Sequence, residues 1–307
     1  MFGRLLLVVL LAGQTDLPAR PIRVAEAVSI GGINQWIEIN GESDTLPVLL
    51  FLHGGPGNSV MSYANKFTRI LQRHFIVVQW DQRESGETAI LNPTPVPLTL
   101  KLMESDAAAM VDHLRSRFSR QRIFLVGHSW GGFLALRVAA LHPEWLEACV
   151  AVAPMIDQWE SERLTLSWLM EKAGKDKNKE ALEELGRVTV PFRSIDELYF
   201  HRHWLAVANG NKPVSKAAVR KWGERWFDLY REACAVNLAE TMPELKCPIY
   251  FFLGSSDRQA SSTISEAYYR HLKAEKKDLI WFTKSAHSLN LTEPIKFQET
   301  IAGLLPR

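Results

Sequence analysis

The run IFLVGHSWGGFLALRVAA, Ile123–Ala140, decides the reading of this chain. An apolar stretch ends in GHSWGG, Gly127–Gly132, and small and apolar residues at helical spacing follow. Strand, sharp turn and helix in that order is the setting in which a serine is held at a strained bend with its hydroxyl exposed. Only small neighbours two positions either side of Ser129 avoid a clash there, and Gly127 and Gly131 supply them. Ser129 is therefore the candidate nucleophile.

From that centre the pattern repeats in both directions. Upstream lie VLLFL, a helical pattern from about Val60 to Gln72, FIVVQW, and a second helical pattern from about Leu98 to Phe118; downstream lie ACVAVA, IYFFLG and DLIWFT. Apolar, β-branched runs separated by helices mark strands buried on both faces of a parallel sheet. Nearer the N-terminus, VAEAVSI and INQWIEIN flank Gly31 and Gly32, a pair suited to a hairpin, so the sheet opens antiparallel and totals about eight strands.

Between Pro154 and about Leu245 the strand pattern stops and the text turns helical. Five of the chain's ten tryptophans fall here, Trp159, Trp168, Trp204, Trp222 and Trp226. An insertion of this length between two strands reads as a helical cap, an apolar roof over a pocket, with one or two aromatics facing a substrate and the rest holding the cap together. The expected organisation is a leader at 1–20, a core from 21–154 and 246–307, and a cap from 155–245.

The 307 residues, 47% hydrophobic and 23% charged, suit one large α/β domain with an insertion and exclude disordered and fibrous classes. Thirty-six basic and 34 acidic residues leave a net charge of +2, which gives no field for nucleic acid or acidic membranes, so any partner must be sought in a local site; a small molecule or short peptide is the expected one. Cys149, Cys234 and Cys247 are too scattered for a disulfide framework, and His201 and His203 lack further ligands nearby, so no metal or organic cofactor is expected. MFGRLLLVVLLAGQT places Arg4 before an apolar stretch too short to span a bilayer and resembles a brief secretory signal. Export is the expectation; a cytosolic chain whose leader packs on the domain is the alternative.

A serine hydroxyl needs a base within hydrogen-bond reach and a third group to orient that base. After a strand–turn–helix nucleophile the chain order is acid, then base. Asp257 in IYFFLGSSD ends a later strand and leaves room for one helix before the last strand; Asp157, which begins the cap, is the competitor. Of the two histidines beyond Asp257, His271 lies in a helical stretch, whereas His287 follows the final strand in the loop KSAHSLN. His287 is the expected base. The oxyanion that forms needs two fixed backbone donors. Trp130, after the nucleophile, offers one, and Gly55 in VLLFLHGGPG the other, with Pro56 stiffening the loop.

HGGPG at His53–Gly57, WDQRESG at Trp80–Gly86 and GHSWGG at Gly127–Gly132 together resemble the proline iminopeptidase branch of the α/β-hydrolase superfamily, peptidase family S33. The likeness covers nearly all of the chain after Arg23 and is weakest in the cap. It implies an α/β-hydrolase fold, mostly parallel and eight-stranded, with an inserted helical cap. It further implies Ser129, Asp257 and His287 as triad, Gly55 and Trp130 as oxyanion donors, and Asp81, Gln82 and Arg83 as a brace beside the site. There are two departures. Glu84 stands where the family has glycine, and the cap motif whose glutamates grip a free amino terminus has no match.

The expected function is a serine hydrolase cleaving a small N-terminal residue, proline by family habit, from short peptides. An esterase, lactonase or amidase using the same triad is the alternative, and a binding protein that kept the shell and lost turnover is a third reading. Carboxylates available to a substrate ammonium include Glu84, Glu160, Glu162, Glu197 and Glu232; Glu84, Glu160 and Glu232, with Trp159 and Trp204, are the expected substrate contacts.

Overall fold

A computed structural model describes residues 20–305. Residues 1–19 of the expected leader lie outside them. Eight strands form one sheet: β1 Ile22–Ile30, β2 Ile33–Gly41, β3 Val48–Leu52, β4 Ile76–Trp80, β5 Ile123–His128, β6 Leu146–Val152, β7 Ile249–Gly254 and β8 Lys277–Phe282. Their order across the sheet is β1-β2-β4-β3-β5-β6-β7-β8. β1, β2 and β4 pair antiparallel, and every pairing from β4 through β3 to β8 is parallel.

Residue chemistry explains the layering. All five residues of β3 are buried, because Val48, Leu50 and Leu52 point into one core while Leu49 and Phe51 point into the other. Such two-sided burial is why parallel strands read as continuous apolar runs. The hairpin between β1 and β2 turns through Gly31 and Gly32, both at positive φ (57° and 78°), the backbone that a two-residue turn of the right twist demands. Helices Leu100–Arg117 and Trp130–Leu141 cover the first core, and Phe67 and Phe297 close the second.

One expected helix forms only in part. Over Val60–Gln72 the structure has a single α turn, Asn65–Thr68, and a tight 3-10 turn, Leu71–Arg73. The amides of Tyr63, Lys66 and Phe67 bond three residues back, the Thr68 hydroxyl takes the Ala64 carbonyl, and the Ile70 amide donates to Gln298. Side-chain and tertiary acceptors there compete with the α ladder.

Between β6 and β7 the chain leaves the sheet and, ahead of the single helical turn Leu238–Thr241, forms four longer helices, Gln158–Lys175, Lys179–Leu185, Ile195–Ala208 and Lys216–Cys234. Side-chain acceptors from Asp157, Asn178, Ser194 and Ser215 cap their N-termini, which explains where each begins. The last of them seats on the loop after β3. The Trp222 indole donates to the Pro56 carbonyl at 2.8 Å, and Trp226 packs so closely that a Cβ at Gly57 would meet its ring at 2.3 Å. Among the described residues no helix is long and apolar enough to cross a membrane.

Candidate active site

The site collects at the C-terminal ends of the parallel strands, where an open α/β sheet leaves its crevice. Ser129 follows β5 with φ 57° and ψ −117°. The glycine spacing around it has a direct cause. A Cβ at Gly127 would lie 2.0 Å from the Gly131 carbonyl oxygen, and one at Gly131 would lie 2.1 Å from the Leu52 carbonyl oxygen. Backbone on both sides of the bend leaves no room for a methyl group.

Three side chains from three strand ends meet. Ser129 Oγ is 3.0 Å from His287 Nε2, and His287 Nδ1 is 2.9 Å from Asp257 Oδ2. The other carboxylate oxygen of Asp257 accepts the amides of Gln259 at 2.9 Å and Ala260 at 3.1 Å, which fixes the plane of the acid. Asp157, the competing acid, instead caps the first cap helix through the Glu160 amide and accepts from Asn237. His271 ends the helix Ser262–His271 with its side chain exposed.

Gly55, at φ 121°, borders the same space as Ser129. Trp130 is the first helical residue after Ser129, so its amide has no acceptor within the helix and is free to point at a ligand. Gln82 joins these two elements: its Oε1 accepts from Trp130 Nε1 and its Nε2 donates to the His53 carbonyl, both at 2.9 Å. His53 accepts the Gln82 amide at Nε2 and donates from Nδ1 to the Gly54 carbonyl. Burial lowers its pKa, which agrees with this neutral form. Arg83 and Asp106, both buried, form a paired ion bridge that also holds the Gly31 carbonyl and Gln35.

Sequence reasoning missed His128. Its Nε2 donates to the His287 carbonyl at 2.9 Å, and the two rings lie 4.9 Å apart. Burial first, and then repulsion from His287, hold it down to about 4, so it stays neutral beside the base.

A cavity of about 410 Å³ opens from Ser129 beneath the cap, walled by Met155, Leu198, Val219 and Trp222 among others. Polar groups on its wall include Gln158, Arg202 and Tyr230. Behind them sits Glu162, fully buried. It accepts from Gln158 Nε2 at 2.6 Å, Tyr230 Oη at 2.5 Å and Arg202 Nη1 at 2.6 Å, with a second contact from Arg202 Nη2. Burial alone would raise its pKa, but the charge and hydrogen bonds of Arg202, with His201 and Tyr230, hold it down to about 2.

The structure does not bring the expected cap contacts to this cavity. Glu160 pairs with Arg163 at the surface. Glu232 accepts the Leu100 amide at 2.8 Å and anchors a core helix to the cap. Glu84 pairs with Arg225 and accepts the Val96 amide, tying the loop after β4 to the cap. Trp204 donates to Glu184 inside the cap, and Trp159 packs edge-on against Phe192 and Tyr230. The cap tryptophan that lines the cavity is Trp222, with Tyr230 beside it. Glu197, for its part, is held by Arg193. Among the described residues no cluster of three or more histidine, cysteine or acidic groups could hold a metal ion.

Comparison with known proteins agrees with this architecture. Residues 43–294 match the family described as Serine aminopeptidase, S33. The chain is 28% identical over 306 residues to a Bacillus subtilis (strain 168) protein named Probable aminopeptidase YbaC, covering 92% of this chain and 96% of that one. It is 22% identical to the proline iminopeptidase of Heyndrickxia coagulans, covering 90% and 96%. Among solved structures, the proline iminopeptidase of Mycobacterium smegmatis superposes with a TM-score of 0.61 at 18% identity, covering 91% and 97%, a likeness of fold. The chain belongs to the S33 serine aminopeptidase family and is a proline iminopeptidase-like α/β-hydrolase.

Proposed function

We propose that this protein removes a small N-terminal residue from short peptides by way of an acyl-enzyme on Ser129. The observation that carries the reading is the unbroken contact from Ser129 Oγ through His287 to Asp257, opening on a mostly apolar chamber roofed by the cap. In this reading His287 Nε2 takes the Ser129 proton as Oγ attacks the carbonyl carbon, and Asp257 steadies the imidazolium that results. The Gly55 and Trp130 amides receive the oxyanion, each worth on the order of a hundredfold to a thousandfold in rate. The imidazolium then returns its proton to the departing amine, the bond to the leaving group breaks, and water repeats the sequence in reverse on the acyl-enzyme.

The family membership and the names of the relatives support an aminopeptidase. One observation favours the esterase, lactonase or amidase alternative. Among the described residues lining the chamber there is no carboxylate, and the nearby Glu162 is already neutralised by Arg202. A buried ammonium without a counter-ion is costly.

Purified protein assayed on proline, alanine and N-blocked proline anilides and on short-chain aryl esters separates the two. Preference for the free amine supports the aminopeptidase. Turnover of blocked substrates and esters in its place would assign the alternative. The expected export is likewise a proposal, tested by finding the mature N-terminus of the protein in its native cell.

A further inference from the structure

Ser129 stands between two chambers. Besides the apolar one under the cap, a second of about 220 Å³ shares Gly55, Asn58, Ser129 and Gln259 with it and continues to Tyr63, His128 and Asn290. The two differ in chemistry. The first is walled largely by aliphatic and aromatic side chains from the cap, whereas the second presents amides, a phenol and imidazoles from the core. His287 lines the second chamber. Asn290, three residues beyond His287, is 3% exposed, and its Oδ1 is buried without a hydrogen-bond partner. The amides of Asn58 and Asn290 and the Tyr63 hydroxyl give this chamber the polar groups with which a ligand's own polar atoms can pair.

The chemistry of acyl transfer tells the chambers apart. The imidazolium must deliver its proton to the leaving atom, so the leaving group departs on the side that His287 faces, and the acyl group takes the other side. We propose that the polar chamber is the leaving-group subsite, and that Asn290, with Asn58 and Tyr63, selects leaving groups that carry a further amide one residue beyond the scissile bond, as the second residue of a peptide does. This rests on Ser129 and His287 acting as read above; it holds whether the substrate is a peptide or an ester. The apolar chamber then sorts substrates by acyl group, and the polar one by what is released.

The test holds the acyl group constant and varies the leaving group. Proline p-nitroanilide is compared with prolyl-glycinamide, and an acyl ethyl ester with the glycolamide ester of the same acid, on the wild type, Asn290→Leu and Tyr63→Phe. Asn290→Leu is expected to lower kcat/KM for prolyl-glycinamide or the glycolamide ester about fivefold to tenfold. Anilide and ethyl ester turnover should move less than twofold, as should deacylation, which depends on the acyl group alone. Fluorophosphonate labelling at the wild-type rate certifies that the variant is folded, and Tyr63→Phe supplies a second probe should Asn290→Leu fail that control. Equal loss on both leaving groups, or no loss on either, overturns the subsite. If the wild type cleaves esters and neither prolyl substrate, the aminopeptidase reading fails, and the ester pair alone decides the subsite.

Discussion

Oε1 of Gln82 accepts the indole N–H of Trp130 at 2.9 Å, while the other end of the same amide holds the His53 carbonyl. One side chain therefore fixes the spacing between the two backbone segments expected to receive the oxyanion. Gln82→Leu keeps the volume and removes both bonds. It should lower kcat by roughly tenfold to a hundredfold with KM little changed, because the donors are then misplaced only for the charge that develops in the transition state. Steady-state kinetics on one anilide or ester suffices; a rise in KM at constant kcat would show that Gln82 serves ground-state binding.

Gly131→Ala should be far worse for the fold than an ordinary helix substitution. Its Cβ would sit 2.1 Å from the Leu52 carbonyl oxygen, backbone that cannot rotate away. We expect a loss of about 4 kcal/mol or more, or failure to fold. Denaturant unfolding checks this, and a loss under 1 kcal/mol would mean that the bend at Ser129 is not held as described.

Glu84 tests strain against pairing at one position. Its φ of 61° suits glycine, yet its carboxylate pairs with Arg225 of the cap. Glu84→Gly and Glu84→Ala both lose the pair, but only alanine keeps the strained backbone. Glu84→Ala should therefore be less stable than Glu84→Gly by about 1 kcal/mol. Equal unfolding midpoints for the two variants would remove strain from the explanation.

Acid should destabilise the fold through its buried neutral histidines, His201 in the cap as well as His128 beside the base. Burial is the main cause that lowers His201, to about 4, although the Glu162 carboxylate beside it pulls the other way. Unfolded, this imidazole binds a proton near pH 6.5; folded, it stays neutral until about pH 4, so the unfolded state holds the extra proton in between. Stability therefore falls as pH drops through that window, by about 3 kcal/mol from this group. Glu162 acts in the same direction lower down: held at about 2 when folded, it contributes stability that is present above about 4.5 and lost as pH falls towards 2. Melting temperatures across this range check the slope. A flat curve from neutral to about pH 4, or one unchanged in His201→Gln, would contradict it.

What could be read from residues alone, and what could not, follows from how local each signal is. The bend at Ser129 was legible because its causes, Gly127 and Gly131, stand two positions away. The eight strands were legible because burial on both faces leaves an unbroken apolar run such as VLLFL. The meeting of Ser129 with Asp257 and His287 was expected from chain order and is geometrically present. The cap resisted reading. Glu162 looks like any helical glutamate until Arg202, forty residues on, packs against it, and Trp204 and Trp222 differ only in which side of the cap their helices present. Asn290 carried no signal, since an unsatisfied amide is visible only once its surroundings are known.

The central claim is that Ser129 carries the acyl group. Peptide mapping of protein inhibited by a fluorophosphonate, together with the kcat of Ser129→Ala, addresses it most directly. A single adduct on Ser129 is expected, with turnover in the variant lower on the order of a millionfold while its melting temperature stays close to that of the wild type. An adduct on another residue, or a variant that keeps a tenth of the activity, would contradict the account.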